Sequence, residues 1–264
     1  MPYANSHGLN IYYEVHEPAD NDTAATLILA HGMGGNAAIW FNQLAYFCDR
    51  YRIVTFDHRY FARSTCDADA FDPALFTHDI IAVMDAAAVE HGIFICQSMG
   101  GWTGSQMAIR HAERVDALVM SHTPGVFEHP SAVNDRRAVT DQVSRPGSRF
   151  SSAALSADYP TKDPVGAVLY HQISSFNGID PAVIPRKIGE ARLGVNTDSL
   201  DRYEVPTLFI TANKDILFPP TYIEALARTV PGAIFSNLGD AGHSSYFEIP
   251  ALFNQRVEQF IASL

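Results

Sequence analysis

The chain has 264 residues, of which 47% are hydrophobic and only 18% are charged. This much apolar material can build a sizeable core, which excludes a disordered or low-complexity protein. Lys and Arg number 18 against 29 Asp and Glu, so the formal net charge is −11, and no block of basic residues occurs along the chain. Nucleic acid and anionic membrane surfaces are therefore poor candidate partners.

The sequence also lacks targeting and membrane signals. No apolar run approaches the roughly 20 residues that a bilayer span needs. The N-terminal MPYANSHGLN has neither a charged n-region nor an apolar h-region, which predicts a cytoplasmic protein. Three cysteines, Cys48, Cys66 and Cys96, are too few for a disulfide framework, and their spacings match no zinc pattern. We therefore expect free thiols and no metal.

Seven short apolar runs rich in β-branched and aromatic residues predict strands. They cover residues 11–15, 26–30, 52–56, 93–96, 117–120, 207–211 and 233–238. Segments of helical period lie between several of them, at residues 77–91, 99–111, 220–230 and 251–263. This alternation predicts an α/β fold with parallel strands and crossover helices on both faces of the sheet. The turn signal at residues 5–8 predicts an antiparallel hairpin at the N-terminal edge.

The alternation stops after Met120. Residues 126–204 contain only short helix-compatible pieces, at 131–143, 164–174 and 181–193, separated by Pro, Gly and Ser. This pattern predicts a helical insertion over the sheet, with residues 1–125 and 205–264 forming the core. Nine of the 18 basic residues fall in the insertion. They could hold a substrate carboxylate, although solvated helix faces are the simpler explanation.

The strongest local signal surrounds Ser98, where an apolar strand meets a helix across a sharp turn. This arrangement is typical of a nucleophile elbow. Such a turn needs small residues two positions before and after the serine, and Cys96 and Gly100 meet that requirement. The helix that begins near Met99 directs its first N–H groups toward the serine, which favours developing negative charge there. A serine in this context can also be a helix cap only.

The turn around Ser98 and three further segments together make the chain resemble the α/β-hydrolase fold family. The resemblance covers nearly the whole length except the insertion. The segments are HGMGGN from His31, ANKDILFP before Pro220, and GHSSYFEIP from Gly242. The resemblance implies a mostly parallel eight-stranded sheet with helices on both faces and a helical cap or lid. It also implies a triad in the chain order of this fold, with Ser98 as nucleophile, Asp215 as acid and His243 as base.

The resemblance further implies the residues that would contact the substrate. The backbone N–H groups of Met33 and Met99 would form the oxyanion hole. Five residues near these loops are candidates for substrate binding, namely His31, Gly32, Gln97, His122 and Tyr60. Each site residue has a structural explanation when taken alone, but four segments in the right order together favour catalysis.

Alternative assignments remain for individual roles. Cys96 could be the nucleophile, although it precedes the apex of the turn by two residues, where the strand would bury it. Asp240 could be the acid, although a surface loop position explains it as well. His122 follows a predicted strand, so it either reaches the floor of the pocket or only ends the strand.

Residues 57–64, DHRYFARS, depart from the family pattern Asp-x-Arg-Gly-x-Gly-x-Ser, because Tyr60 and Ala62 replace both glycines. This turn must adopt another conformation or tolerate backbone strain. Simple drift in a non-catalytic turn explains the change. Alternatively, Tyr60 or Phe61 reshapes one wall of the pocket.

A serine nucleophile predicts attack on a carbonyl, unlike the aspartate chemistry of haloalkane dehalogenases and epoxide hydrolases. The elbow and the HGMGG loop are most similar to those of serine carboxylesterases and 3-oxoadipate enol-lactonase-like hydrolases. We expect hydrolysis of a small ester or lactone through an acyl-enzyme, without a cofactor, by a monomer or homodimer. A C–C bond hydrolase, a cofactor-free haloperoxidase and a small-molecule receptor with little turnover remain alternatives.

Overall fold

An eight-stranded sheet organises the fold. The computed structural model describes residues 2–19, 25–127, 152–180, 182–190 and 200–264. The strand order is β1-β2-β4-β3-β5-β6-β7-β8. β2 pairs antiparallel with β1 and β4, and every other neighbouring pair is parallel. The predicted mostly parallel sheet with an antiparallel N-terminal edge is confirmed.

The elements follow the predicted alternation. The strands are β1 Tyr3–Ser6, β2 Leu9–His16, β3 Thr26–Ala30, β4 Arg52–Phe56, β5 Gly92–Gln97, β6 Val115–Ser121, β7 Thr207–Thr211 and β8 Ile234–Asn237. The helices are α1 Phe41–Phe47, α2 Phe76–Ala86, α3 Gly100–Arg110, α4 Tyr159–Lys162, α5 Pro164–Ser175, α6 Val183–Glu190, α7 Pro220–Ala227, α8 Ser245–Glu248 and α9 Pro250–Ile261. The sequence pattern did not predict α1.

The sheet separates two apolar cores. Successive residues of β3 alternate between them, so that Leu27 joins one core and Ile28 joins the other. The core that contains Ile28 also buries side chains of α2, α3 and α7. The core that contains Leu27 buries side chains of α1, α5 and α9. Because the central strands are apolar on both faces, helices must cover both faces, as predicted.

Helix α2 ends five residues before its predicted end at residue 91. Ala88 adopts the left-handed conformation with φ of +53°. The N–H of Val89 donates to the carbonyl of Met84, and the N–H of Ala88 donates to that of Asp85. These bonds form a Schellman motif, which terminates a helix. The motif usually carries glycine at the left-handed position, so an alanine there gave no sequence signal.

The segment between β6 and β7 contains three helices, α4, α5 and α6, and no strand among its described residues. Two of its predicted helices correspond to α5 and α6, and the third, at 131–143, lies outside the described residues. Helix α5 packs against the region after β8, since the Tyr170 and Phe247 rings lie 5.0 Å apart. The division into a core and a cap stays a prediction.

Two further expectations concern the cysteines and membrane-spanning segments. Cys48, Cys66 and Cys96 all lie in the described residues and are free thiols. No helix in the described part of the chain is long and apolar enough to cross a membrane.

The start of α3 packs directly against the end of β3. A Cβ atom on Gly100 would lie 2.1 Å from the carbonyl oxygen of Ala30 and 2.9 Å from that of His31. Farther along α3, a Cβ on Gly104 would lie 2.4 Å from the Sγ of Cys96. Backbone atoms cannot move aside cheaply, so the approach of strand and helix requires glycine at position 100.

We expect Gly100→Ala to lower the free energy of unfolding by about 3 kcal/mol, because the new methyl group overlaps backbone atoms. Gly178→Ala is the matched control, since a Cβ there meets nothing within 4 Å although φ is +62°. It should cost only about 1 kcal/mol from backbone strain. Urea unfolding measures both losses, and equal losses would contradict the packing argument.

Candidate active site

Ser98 occupies the sharp turn between β5 and α3. Its φ is +51°, in the left-handed region that costs a non-glycine residue about 1 to 3 kcal/mol. Its N–H donates to the Ser121 carbonyl at 3.0 Å, and its carbonyl accepts from the Gly101 N–H at 2.9 Å. Ser98 is partly exposed, whereas the residues on either side of it are buried. The turn therefore presents the hydroxyl at the carboxyl end of the sheet.

Asp215 and His243 meet at the same edge, in the loops after β7 and β8. The Nδ1 of His243 lies 3.1 Å and 3.0 Å from the two carboxylate oxygens of Asp215. The N–H groups of Leu217 and Phe218 also donate to Asp215, at 2.8 and 3.0 Å. Burial opposes ionisation of this carboxyl, but His243 and His122 outweigh burial and lower the pKa of Asp215. Asp215 is therefore ionised.

The second nitrogen of the His243 ring is unengaged. His243 is buried, and its Nε2 has no hydrogen-bond partner in the described part of the chain. The side-chain amide of Gln97 donates to the His243 carbonyl at 3.2 Å, which ties this loop to the residue before Ser98. The structure thus brings Ser98, Asp215 and His243 to the carboxyl edge of the sheet, where ligands bind in open parallel sheets.

The peptide groups beside Gly32 and Ser98 are oriented by hydrogen bonds. The Gly32 carbonyl accepts from the Gly35 N–H and lies 2.8 Å from the Nδ1 of His31. The Ser98 carbonyl is bonded into the first turn of α3. Because a trans peptide points its C=O and N–H in opposite directions, the N–H groups of Met33 and Met99 point away from these bonds. These two donors therefore lie on the side of each peptide opposite the carbonyl that is bonded within its loop.

Gly32 lies against the elbow. A Cβ on Gly32 would lie 1.9 Å from the Oε1 of Gln97 and 2.9 Å from the Cβ of Ser98. Only glycine lets the loop after β3 approach the serine this closely. The Gly32 and Gln97 predicted for substrate binding therefore both lie next to Ser98.

His31 is fully buried and links two loops. Its Nε2 accepts from the backbone N–H of His58 at 2.9 Å, and its Nδ1 faces the Gly32 carbonyl. Burial lowers the pKa of His31 to about 4, so the ring is neutral at pH 7. Both ring nitrogens are engaged within the protein, which favours a supporting role for this predicted substrate-binding residue.

The turn that lacks the family glycines keeps a strained backbone. Tyr60 has φ of +76° and Ala62 has φ of +40°. The Tyr60 ring packs 5.7 Å from that of Phe71, and its hydroxyl accepts from the N–H of Asp180 at 3.2 Å. Tyr60 therefore connects this turn to the segment between β6 and β7, which a glycine would not do.

His122 lies at the Asp215 carboxylate. Its Nδ1 is 2.8 Å from the Oδ2 of Asp215, and its Nε2 is 2.7 Å from the Oγ of Ser245. The residue is fully buried, and its φ is +55°. Burial lowers the pKa of His122. In the described structure this side chain contacts the acid of the predicted triad, a position that the sequence did not indicate.

The alternative candidates lie in different surroundings. The Cys96 thiol is buried against Gly104, and burial raises its pKa. Asp240 is on the surface, where it forms ion pairs with Lys162 and Lys214. Burial therefore disfavours Cys96 as the nucleophile, and pairing with two lysines at the surface disfavours Asp240 as the triad acid.

The sequence analysis missed the hydrogen bonds that connect the segment between β6 and β7 to the loops of the site. Glu248 accepts hydrogen bonds from the N–H groups of Ser156 and Gly242, at 2.9 and 3.0 Å. The amide of Asn36 donates to the Ile173 carbonyl at 2.9 Å. These partners are far apart in the sequence except for Gly242 and Glu248, so no local pattern marked them.

The same edge contains a set of side chains that could ligate a metal. Within the described ranges, His122, Asp215 and His243 are the group whose potential donor atoms all lie within 4.8 Å of one another. The Nδ1 atoms of both histidines contact the Asp215 carboxylate. The absence of a metal stays a prediction.

Comparison with known proteins identifies the family. The model for the alpha/beta hydrolase fold matches residues 25–250. The chain belongs to this family. RutD of Variovorax paradoxus, which is named as a carbamate hydrolase, is 28% identical over 262 residues, covering 96% of both chains. The 3-oxoadipate enol-lactonase 2 of Acinetobacter baylyi is 24% identical over 238 residues, covering 88% of this chain and 86% of its own.

A solved structure agrees with this assignment. The enol-lactonase of Burkholderia xenovorans LB400 superposes with a TM-score of 0.79 at 24% identity, over 99% of this chain and all of that one. At this identity the likeness shows the α/β-hydrolase fold, not the reaction. The family and the named relatives together support hydrolase activity.

Buried neutral histidines make stability depend on pH. The folded pKa of His31, about 4, lies below the value of about 6.5 expected when unfolded. The unfolded chain therefore takes up a proton first as pH falls, and the free energy of unfolding drops by about 2 kcal/mol between pH 7 and pH 5 from this residue. His31→Gln should flatten that part of the profile in urea unfolding.

His78→Gln is the matched control, because His78 is exposed. It should leave the pH profile of the free energy of unfolding close to that of the wild type. An equally steep profile in His31→Gln would show that His31 is not held neutral.

Proposed function

We propose that this protein is a serine hydrolase that cleaves a small carboxylic ester or lactone through an acyl-enzyme on Ser98. One observation carries the proposal most strongly. A serine with left-handed φ lies on the strand edge where a buried histidine contacts a buried carboxylate and keeps Nε2 unengaged. A hydroxyl is a weak nucleophile at neutral pH, and such a base and acid are what it needs.

In the proposed first half-reaction, the Oγ of Ser98 attacks the substrate carbonyl carbon. The hydroxyl proton passes to the Nε2 of His243, and Asp215 stabilises the resulting imidazolium through Nδ1. The carbonyl oxygen becomes an oxyanion, which the N–H groups of Met33 and Met99 stabilise. Because these amides lie on glycine-rich, tightly held backbone, they need no reorganisation as charge develops.

The first half-reaction ends when this tetrahedral intermediate collapses: the bond from the former carbonyl carbon to the alkoxide breaks, His243 gives its proton to the departing alkoxide, and Ser98 is left as an acyl ester. In the second half-reaction, water enters, loses a proton to His243 and attacks the acyl carbon. When this second intermediate collapses, the bond to the Oγ of Ser98 breaks, His243 returns the proton to that oxygen, and the acid is released. All these steps use groups of the chain itself. We therefore propose no cofactor and no metal for the reaction.

A fluorophosphonate probe tests the nucleophile. We expect one label per wild-type chain at Ser98, no label in Ser98→Ala or His243→Ala, and hydrolysis of a 4-nitrophenyl ester reduced roughly 10³-fold or more in both. Intact-protein and peptide mass spectrometry measures the labelling.

Cys96→Ala is the matched control, because it changes the other candidate nucleophile two residues away. It should keep the label and the esterase activity. Labelling at any residue other than Ser98, or none in folded wild type, would refute the acyl-enzyme. Labelling with ligand binding but no turnover would favour a receptor.

Carbamate hydrolysis is a second candidate, because relatives that share nearly the full length are named as carbamate hydrolases. The same serine would attack the carbamate carbonyl. The reactions differ in the second step, since a carbamoyl group is less electrophilic than an acyl group and leaves the serine more slowly.

Two substrates with the same leaving group separate these candidates. We expect sustained turnover of 4-nitrophenyl acetate and a burst of about one equivalent followed by slow turnover with 4-nitrophenyl N-methylcarbamate. Stopped-flow absorbance measures both phases. Faster steady-state turnover of the carbamate would reverse the assignment.

A further inference from the structure

Two histidines share the buried Asp215 carboxylate. His122 contacts Oδ2 at 2.8 Å, and His243 contacts the same oxygen at 3.0 Å. The loop amides of Leu217 and Phe218 donate to the other oxygen, Oδ1. The proposed reaction uses His243 only, so it leaves the closer of the two ring contacts unexplained.

The partners of His122 fix where its proton is. An ionised carboxylate can only accept, so the Nδ1 that faces Asp215 carries the hydrogen. The Nε2 of a neutral ring then accepts from the hydroxyl of Ser245, at 2.7 Å. Ser245 lies two residues after His243, at the start of α8. Both ring nitrogens are thus satisfied with the ring uncharged.

The backbone is strained where His122 reaches the carboxylate. The N–H of His122 still pairs with the Ile210 carbonyl at 2.8 Å, so the chain leaves the β6–β7 ladder at this residue with φ of +55°. A histidine in this left-handed conformation is strained. The bonds to Asp215 and Ser245 hold the side chain in this fully buried position.

We propose that His122 is a positioning residue: it donates a neutral N–H bond that fixes the Asp215 carboxylate toward His243, and Ser245 sets its tautomer. This role rests on the proposed function. His122 touches no reacting atom and acts through Asp215. It also withdraws some carboxylate charge from His243, because a second donor shares the same oxygen.

The charged groups around the pair are accounted for. The His122 and His243 rings lie 5.5 Å apart and face Asp215 together. Lys214, beside Asp215 in the chain, pairs instead with Asp158 and Asp240. The Glu248 carboxyl on α8 accepts bonds from Ser156 and Gly242. Among the described residues, Asp215 is thus the anion in contact with both rings.

Removing the His122 donor should have two consequences. The carboxylate loses one of its fixed partners, so it holds the His243 ring less firmly and catalysis slows. Without this donor, the Asp215 carboxylate also directs more negative charge toward His243. This stabilises the protonated form of the His243 ring, which cannot act as a base. The acidic limb of the pH–rate profile should therefore move to higher pH.

The experiment compares His122→Leu with His122→Asn. Leucine fills much of the space without a donor, whereas asparagine keeps an N–H donor near the position of Nδ1 and tolerates left-handed φ. We expect kcat for a 4-nitrophenyl ester to fall about tenfold to a hundredfold in His122→Leu with little change in KM. Its acidic limb should move up by about half a pH unit or more. His122→Asn should stay within about threefold of wild type with an unmoved limb.

Fluorophosphonate titration counts the active sites, so that kcat refers to folded chains only. Equal losses in both variants with unmoved acidic limbs would reduce His122 to a packing residue and overturn the proposal. An unchanged kcat and limb in His122→Leu would also overturn it. A wild type that the probe does not label would instead refute the proposed function, and the role of His122 with it.

A spectroscopic measurement tests the hydrogen bond without turnover. In ¹⁵N-histidine-labelled wild type, the His122 ring should carry its proton on Nδ1 and keep this tautomer from pH 8 to pH 6. Ser245→Ala should weaken that preference. A His122 proton on Nε2 in the wild type would exclude donation to Asp215 and overturn the proposal.

Discussion

The burial of one carboxylate constrains the site. Asp215 is only 4% exposed, and an ion taken out of water must be compensated by donors or it takes up a proton. Two amides of its own loop and two histidine rings supply the compensation. One ring is at the end of β6 and the other follows β8. The position of Asp215 therefore requires that three loops of the sheet meet at one point.

The second constraint is steric. The loop after β3, the elbow after β5 and the start of α3 pack so closely that a Cβ on Gly32 or Gly100 would overlap its neighbours. The same closeness places two backbone amides beside Ser98. Strain at Ser98 and at His122 is maintained because the sheet and the buried hydrogen bonds around them leave no relaxed alternative.

The segment between β6 and β7 contributes to this arrangement. Ser156 binds Glu248, which also holds the amide of Gly242 before His243. On α5, the Ile173 carbonyl accepts from Asn36, next to the glycine-rich loop. Tyr60 contacts Asp180 of the same segment. The segment predicted to form the cap thus also supports the loops that carry Gly32 and His243. A substitution in this segment would therefore disturb both loops.

The sequence by itself determined the fold class, most of the alternating strands and helices, and the turn that carries Ser98. These follow from signals within a few residues of each other, such as apolar periodicity and small residues flanking a turn. Through the resemblance of its motifs to the family, the sequence also indicated the loops in which Asp215 and His243 lie. It did not determine the end of α2, because alanine replaces the usual glycine in its Schellman motif. Only the tertiary structure decided that Asp215 and Ser245 both contact His122, since these contacts join residues 93 and 123 positions apart. No local pattern encodes such distances. The burial that makes the contacts strong exists only once the sheet has formed.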